Sequence, residues 1–159
     1  MSRCAVLVCV FAVVFPVGAR SDQNKDDKKA PALTAEEEAV VARTNEARKK
    51  ADLKPLAVNP KLVEAARKHG ENMARSGKLE HTLDDKNPTD RVKAAGYKPR
   101  LVGENIAAGQ KDADEVVTGW LDSPVHRDNI LDKNFTEIGV AAVKDDKGRV
   151  YWVQVFGQP

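Results

Sequence analysis

Three polar side chains occupy positions that the wet face of a helix does not explain. His81 lies in a polar loop, Glu104 sits beside a glycine in Gly103-Glu104-Asn105-Ile106, and His126 follows Pro124 by two residues. Two imidazoles and a carboxylate form a partial ligand set for zinc or a similar divalent ion, with water filling the remaining positions. The same groups serve as a proton-transfer set in which the carboxylate orients one imidazole. They are far apart in the chain, and no H-E-x-x-H or C-x-x-C spacing brings them together. Each also has a structural reading. Glu104 accepts backbone amides in a tight loop, and His126 closes the turn left open where a helix stops before Pro124. On spacing alone the structural reading is the better one for any single member.

Other candidates reduce to architecture. Ser123 and His126 are spaced like a nucleophile and its base across a turn, but there is no G-x-S-x-G elbow and no oxyanion donor pair. Ser123 therefore reads as a helix terminator. His69 aligns with Leu62, Ala66 and Met73 on one helical side, the position of a core-edge histidine. Asn45 and Arg48 read as a buried amide and guanidinium that hold loops to a first helix.

The elements that must position these groups are punctuated clearly. Thr34-Ala-Glu-Glu37 is a capping box opening a helix to about Lys50. Asn59-Pro60 opens a second helix that Gly77 ends. A short helix is expected from about Thr89 to Ala95, closed by Gly96, then a short strand within Lys98 to Gly109. A third main helix starts at Asp112 and finishes near Ser123, because Pro124 disfavours helix in the residue before it. The chain then changes period: Glu137 to Val143 and Arg149 to Phe156 form a β-hairpin about the Asp145-Asp-Lys-Gly148 turn, and both faces of the second strand carry apolar bulk. Helices before strands, with helical segments on two sides of a small sheet, give an α+β class, a three-layer α-β-α sandwich with a mainly antiparallel sheet.

The first residues are expected to be removed. Arg3 precedes the apolar run Cys4 to Val14, Pro16 interrupts it, and Val17-Gly18-Ala19 suits signal peptidase, so residues 1–19 read as a signal peptide cleaved near Ala19. The run falls short of the roughly 20 apolar residues that span a bilayer. Residues 20–32 are polar and mixed in charge, a flexible leader that cannot offset its ordering entropy. Residues 33–159 remain as one domain. Both cysteines, Cys4 and Cys9, leave with the signal, so packing alone holds the mature chain. With 26 basic and 24 acidic residues and no basic stripe with interleaved aromatics, nothing points to nucleic acid.

Taken in order, N-x-x-R at Asn45 to Arg48, the LAVNPKLVEAARKHGENMA helix, Leu79-Glu80-His81, R-x-x-x-x-G-Y from Arg91 to Tyr97, GENIA, WLDSPVHRDNIL, EIGVA and YWVQVFG make a specific set. The chain resembles the CAP superfamily of cysteine-rich secretory, antigen-five and pathogenesis-related proteins, and within it the disulfide-free bacterial branch with an SCP domain, over about Leu33 to Phe156. The resemblance implies a secreted or cell-envelope α-β-α sandwich whose cavity, lined by two histidines and two acids, can hold a divalent cation such as zinc. Residue by residue it implies His81 and His126 as the metal-binding histidines and Glu104 as the first acid. His81, Glu104 and His126 are also the catalytic candidates. Where many members have W-x-x-E, this chain has Trp120-Leu-Asp-Ser123, and Asp122 lies about 100° around the helix from the expected position. The leading expectation is a binding or interaction module for an extracellular lipid, peptide or cell-surface component. The alternative is a metal-assisted extracellular hydrolase in which the ion activates water and Glu104 moves protons. A cell-envelope structural module is the blandest reading. Ser123-Pro124 is expected to end the helix so that His126 turns into the cavity instead of continuing around a helical face.

Overall fold

The computed structural model describes residue 1 and residues 32–159. Residues 2–19 of the expected signal peptide and all but the last residue of the leader lie outside the described residues. The elements run α1 (Ala35–Lys50), β1 (Ala57–Val58), α2 (Pro60–Ser76), α3 (Pro88–Ala94), β2 (Leu101–Ala108), α4 (Ala113–Asp122), α5 (Pro124–Leu131), β3 (Glu137–Lys144) and β4 (Val150–Gln158). The sheet order is β1-β3-β4-β2, with β2 and β3 antiparallel to β4 and the two-residue β1 parallel to β3.

Side-chain alternation sends β4 into both layers. Val150, Trp152 and Phe156 pack with Val40 of α1, Val116 and Trp120 of α4 and Ile130 of α5, while Tyr151, Val153 and Val155 pack with Leu62, Ala66 and Met73 of α2 and Val92 of α3. Hence α1, α4 and α5 cover one face and α2 and α3 the other, which is the α-β-α sandwich expected from the sequence. Gly139 brings α2 against the sheet: a Cβ there would lie 2.1 Å from the backbone carbon of Leu62.

Local chemistry accounts for the helix ends. The Thr34–Glu37 capping box is closed in both directions. Asn59 caps α2 through the Lys61 amide, Pro60 takes the first turn, and Gly77 ends it at φ 69°. Asn87 and Asp90 form a second capping box that starts α3. Arg48, fully buried, donates to the carbonyls of Lys54, Ile130, Asp132 and Phe135, and Asn45 exchanges two hydrogen bonds with the Leu56 backbone. The architectural reading of this pair therefore holds.

Candidate functional site

Glu104 lies on the edge strand β2 and points to the α2-α3 side, as do Val102, Ile106 and Ala108. Its side chain is only 2 % exposed, and both oxygens are engaged. Oε2 accepts from the Arg91 guanidinium at 2.6 Å, and Oε1 is 2.9 Å from His81 Nδ1. Arg91, on α3, also donates to the carbonyls of His81 and Lys86, so one guanidinium fixes both the carboxylate and the loop that carries His81. With the carboxylate oxygen as acceptor, Nδ1 is the donor of this pair, and Nε2 is the ring nitrogen that Glu104 does not engage. About half of the His81 side chain is exposed.

His126 arrives from the opposite layer, and here the sequence expectation needs correction. The helix does stop at Ser123, whose φ and ψ are extended, but a new helix starts at once, with Pro124 in its first turn and His126 two residues on. His126 therefore sits on the first turn of α5. It neither continues the α4 face nor hangs from an open turn. Pro124 breaks one helix and nucleates the next because its fixed φ and missing amide hydrogen suit a first turn. The Ser123 hydroxyl makes no capping bond. What holds α5 against β2 is Asn105, on the opposite face of β2 from Glu104. It donates to the His126 carbonyl and to Gln154 Oε1 and accepts from Asn129, and Gln154 donates to Thr44 of α1. Asn129 also reaches the Glu104 carbonyl. Gly103 leaves room for this packing, since a Cβ there would lie 2.7 Å from Phe135.

His81 thus meets β2 through the Glu104 side chain, and the His126 backbone meets it through Asn105 from the other layer. Burial, and then the charge of His81, push the His126 pKa below its ordinary value. No hydrogen bond joins the His126 ring to Glu104 or His81 among the described residues. A third imidazole, His69 of α2, lies beneath. It is 1 % exposed, its Nε2 is 3.7 Å from Glu104 Oε1, and neither ring nitrogen has a hydrogen-bond partner among the described residues. Burial pushes its pKa down. Glu104 and the backbone of Glu80 pull it the other way, although the Glu80 backbone closes no hydrogen bond of ordinary geometry.

Sequence reasoning passed over Arg91, Asn105, Asn129 and Gln154, and it read His69 only as a core-edge residue. For Arg91 and Asn105 the signal was present, because both belong to the ordered motifs R-x-x-x-x-G-Y and GENIA. The buried Glu37 was read only as a cap. It also accepts two contacts from Arg67 and one from the Ala142 amide.

Chemically the arrangement is a carboxylate-oriented imidazole, His81, with a second imidazole, His126, within electrostatic reach of it. Among the described residues no group of three or more His, Cys, Asp or Glu is placed to hold a metal ion. Glu104, turned to Arg91 and His81, stands behind the His81 imidazole, the arrangement that commonly orients metal-binding histidines.

A three-layer sandwich with Glu104, Arg91 and His81 joined at its strand edge defines a class of domain, and comparison with known proteins gives its family. The sequence model of CAP, the cysteine-rich secretory protein family, matches residues 41–156, and the chain belongs to that family. The uncharacterized protein YkwD of Bacillus subtilis is 37 % identical over 142 residues, which cover 88 % of this chain and 54 % of YkwD. The uncharacterized membrane protein YlbC of the same organism is 30 % identical over 82 % of this chain and 37 % of its own length. The chain therefore spans about half the length of one of these relatives and less of the other. Among solved structures, an outer surface protein of Borrelia burgdorferi superposes with a TM-score of 0.74 at 25 % identity, over 80 % of this chain and 96 % of that one. An extracellular SCP-domain protein of Bacillus anthracis gives 0.73 at 27 % identity, over 81 % and 45 %. No helix among the described residues is long and apolar enough to cross a membrane.

Proposed function

We propose that this CAP domain is an exported binding module whose ligand site is the β2 edge between His81 and His126, with those two imidazoles able to hold a divalent ion such as zinc. The observation that carries this reading is the double engagement of Glu104. A hydrolase of the metal-assisted kind needs a carboxylate free to move protons. This one has Arg91 on one oxygen and His81 on the other, and the position where a second acid is expected holds Ser123. The groups that Glu104 leaves unengaged are His81 Nε2 and the His126 ring nitrogens. Leu79 and Val125, neighbours in sequence of the two histidines, are exposed, Val125 at 73 %, and they offer apolar contact to a lipid, peptide or cell-surface ligand. A bound ion would supply a Lewis acid with open positions toward such a ligand. The outer-surface and extracellular relatives and the amino-terminal apolar run support export.

Calorimetric titration of zinc into protein purified without a histidine tag tests the ion site. Saturable binding that both His81→Ala and His126→Ala abolish is expected, and unchanged binding in the two variants would remove the site. Chelator-sensitive turnover of a peptide, ester or glycan substrate, lost in Glu104→Gln with the fold intact, would replace the binding reading with the hydrolytic one.

A further inference from the structure

A basic hollow at the α3-β2 turn stands apart from the ion site. Gly96, at φ 78°, turns the chain out of α3, and Lys93, Gly96, Tyr97, Lys98 and Pro99 line an open depression of about 460 Å³. Tyr97 is its one buried member, anchored through its hydroxyl to Glu137. Lys61 of α2 comes in beside Gly96, its Cε 4.0 Å from the position that a Cβ there would take, and Arg100 follows directly on Pro99. Three observations define what such a place would take. First, Lys61, Lys93, Lys98 and Arg100 are all exposed, and among the described residues no carboxylate lies within ion-pair distance of any of them. Glu137 already accepts from Asn59 and Tyr97. Like charges gathered without a counter-charge repel one another, and a bound polyanion relieves that. Second, none of these cations is buried, so a single small anion would stay hydrated and weakly held. An anion that repeats its charge along a chain engages several of them at once and releases counterions as it does so. Third, among the described residues no exposed large apolar side chain lines the hollow, and its aromatic ring is buried. A bilayer therefore meets no large apolar side chain to take up, and a nucleobase has no platform to stack on. The far end of the sheet has no such excess of one sign: at the β3-β4 turn Lys144 and Lys147 flank Asp145 and Asp146.

We propose that the α3-β2 turn is a docking surface for a linear phosphate polymer, a chain of closely spaced phosphates that lies across the hollow and meets Lys61, Lys93, Lys98 and Arg100. The surface shares no residue with the ion site, so either reading can fail alone.

The probe is long-chain inorganic polyphosphate, titrated calorimetrically into the purified protein with a chelator present so that no bound metal takes part. Saturable binding is expected, with an association constant that falls with salt at a log-log slope of about −3, as when four phosphates of a flexible strand are neutralised. Pyrophosphate, which cannot span the cations, should bind about a hundredfold more weakly. Lys98→Glu combined with Arg100→Glu should weaken polymer binding about tenfold or more, and Lys98→Gln combined with Arg100→Gln should weaken it by less. Lys144→Glu combined with Lys147→Glu, the same change of net charge at the far end of the sheet, should leave affinity within about twofold of wild type, because charges beyond a Debye length are screened. Equal losses in the two reversed pairs would reduce the effect to net charge and overturn the proposal. So would pyrophosphate that binds as tightly as the polymer, or tighter binding at equal phosphate to vesicles of phosphatidylglycerol and phosphatidylcholine, which would give the surface to a membrane. All of these side chains are exposed, and the neutral pair keeps the test readable if a reversed pair fails to fold.

Discussion

Arg91 is the side chain on which the site's geometry turns, since it holds the Glu104 carboxylate and two carbonyls of the His81 loop with one guanidinium. Removing one member of a buried ion pair leaves the other charged and alone, at a cost of about 3–5 kcal/mol. Arg91→Met should therefore lose stability on that scale in chemical denaturation, and zinc binding should weaken because His81 is no longer oriented. A loss below about 1 kcal/mol would mean that the pair is as dispensable as an exposed one. The imidazoles set a pH dependence with a definite sign. His69 and His126 have pKa values pushed below the ordinary value, chiefly by burial. As pH falls below the unfolded value of about 6.5, the unfolded chain binds protons that the folded one refuses, so stability is full above that value and declines as pH drops through the folded values. Unfolding at about pH 6 should accordingly take up protons, and potentiometry showing release would contradict the assignment. Tyr97 acts at the alkaline end. Burial first, and then its hydrogen bond to Glu137, raise the phenol pKa, so stability begins to decline as pH climbs past the unfolded value of about 10.

At the level of elements, what the sequence disclosed depended on local punctuation. The starts of α1 and α2 and the β3-β4 hairpin were legible because caps, prolines and turn glycines act over a few residues, and the structure places Asn59, Gly77 and Gly148 in those roles. The two-residue β1 and the helix α5 were not. β1 exists because its backbone pairs with Glu137 and Ile138, far along the chain, and two residues carry no period of their own. α5 was hidden because a proline that ends one helix can also start another, and its single fully buried residue, Ile130, gives no stripe to read. Among the candidate site residues, the pairing of His81 with Glu104 had no signature beyond the motif order, since the partner that joins them, Arg91, acts through tertiary contact. Close approach was equally invisible: nothing local in EIGVA marks Gly139 as the point where α2 touches the sheet. Gly139→Ala should overpack that contact and cost about 3 kcal/mol or more, because the obstruction is the backbone of α2 and not a movable side chain. A thermal midpoint within a degree or two of wild type would show that the helix can shift to accommodate it.

For the whole molecule, few side chains tie distant segments together. Arg48 joins the end of α1 to the loop before β1, to the end of α5 and to the approach to β3, so Arg48→Met should strand several carbonyls and cost about 3 kcal/mol or more. Loss confined to one local opening in hydrogen exchange, with global stability unchanged, would show that those connections are separable. The broad layout was legible because a strand with apolar bulk on both sides demands cover above and below. How the layers meet at the β2 edge was not, because Asn105, Gln154 and Thr44 form that junction from three separate parts of the chain. The strand order carries a temporal consequence. β4 follows β2 and β3 in the chain, yet it lies between them in the sheet and contributes side chains to both cores. While the chain is being synthesised, β2 and β3 have no shared partner, and the helices have no common floor on which to settle. The two faces of the domain would thus stay open until β4 slots between its partners, and only then lock shut.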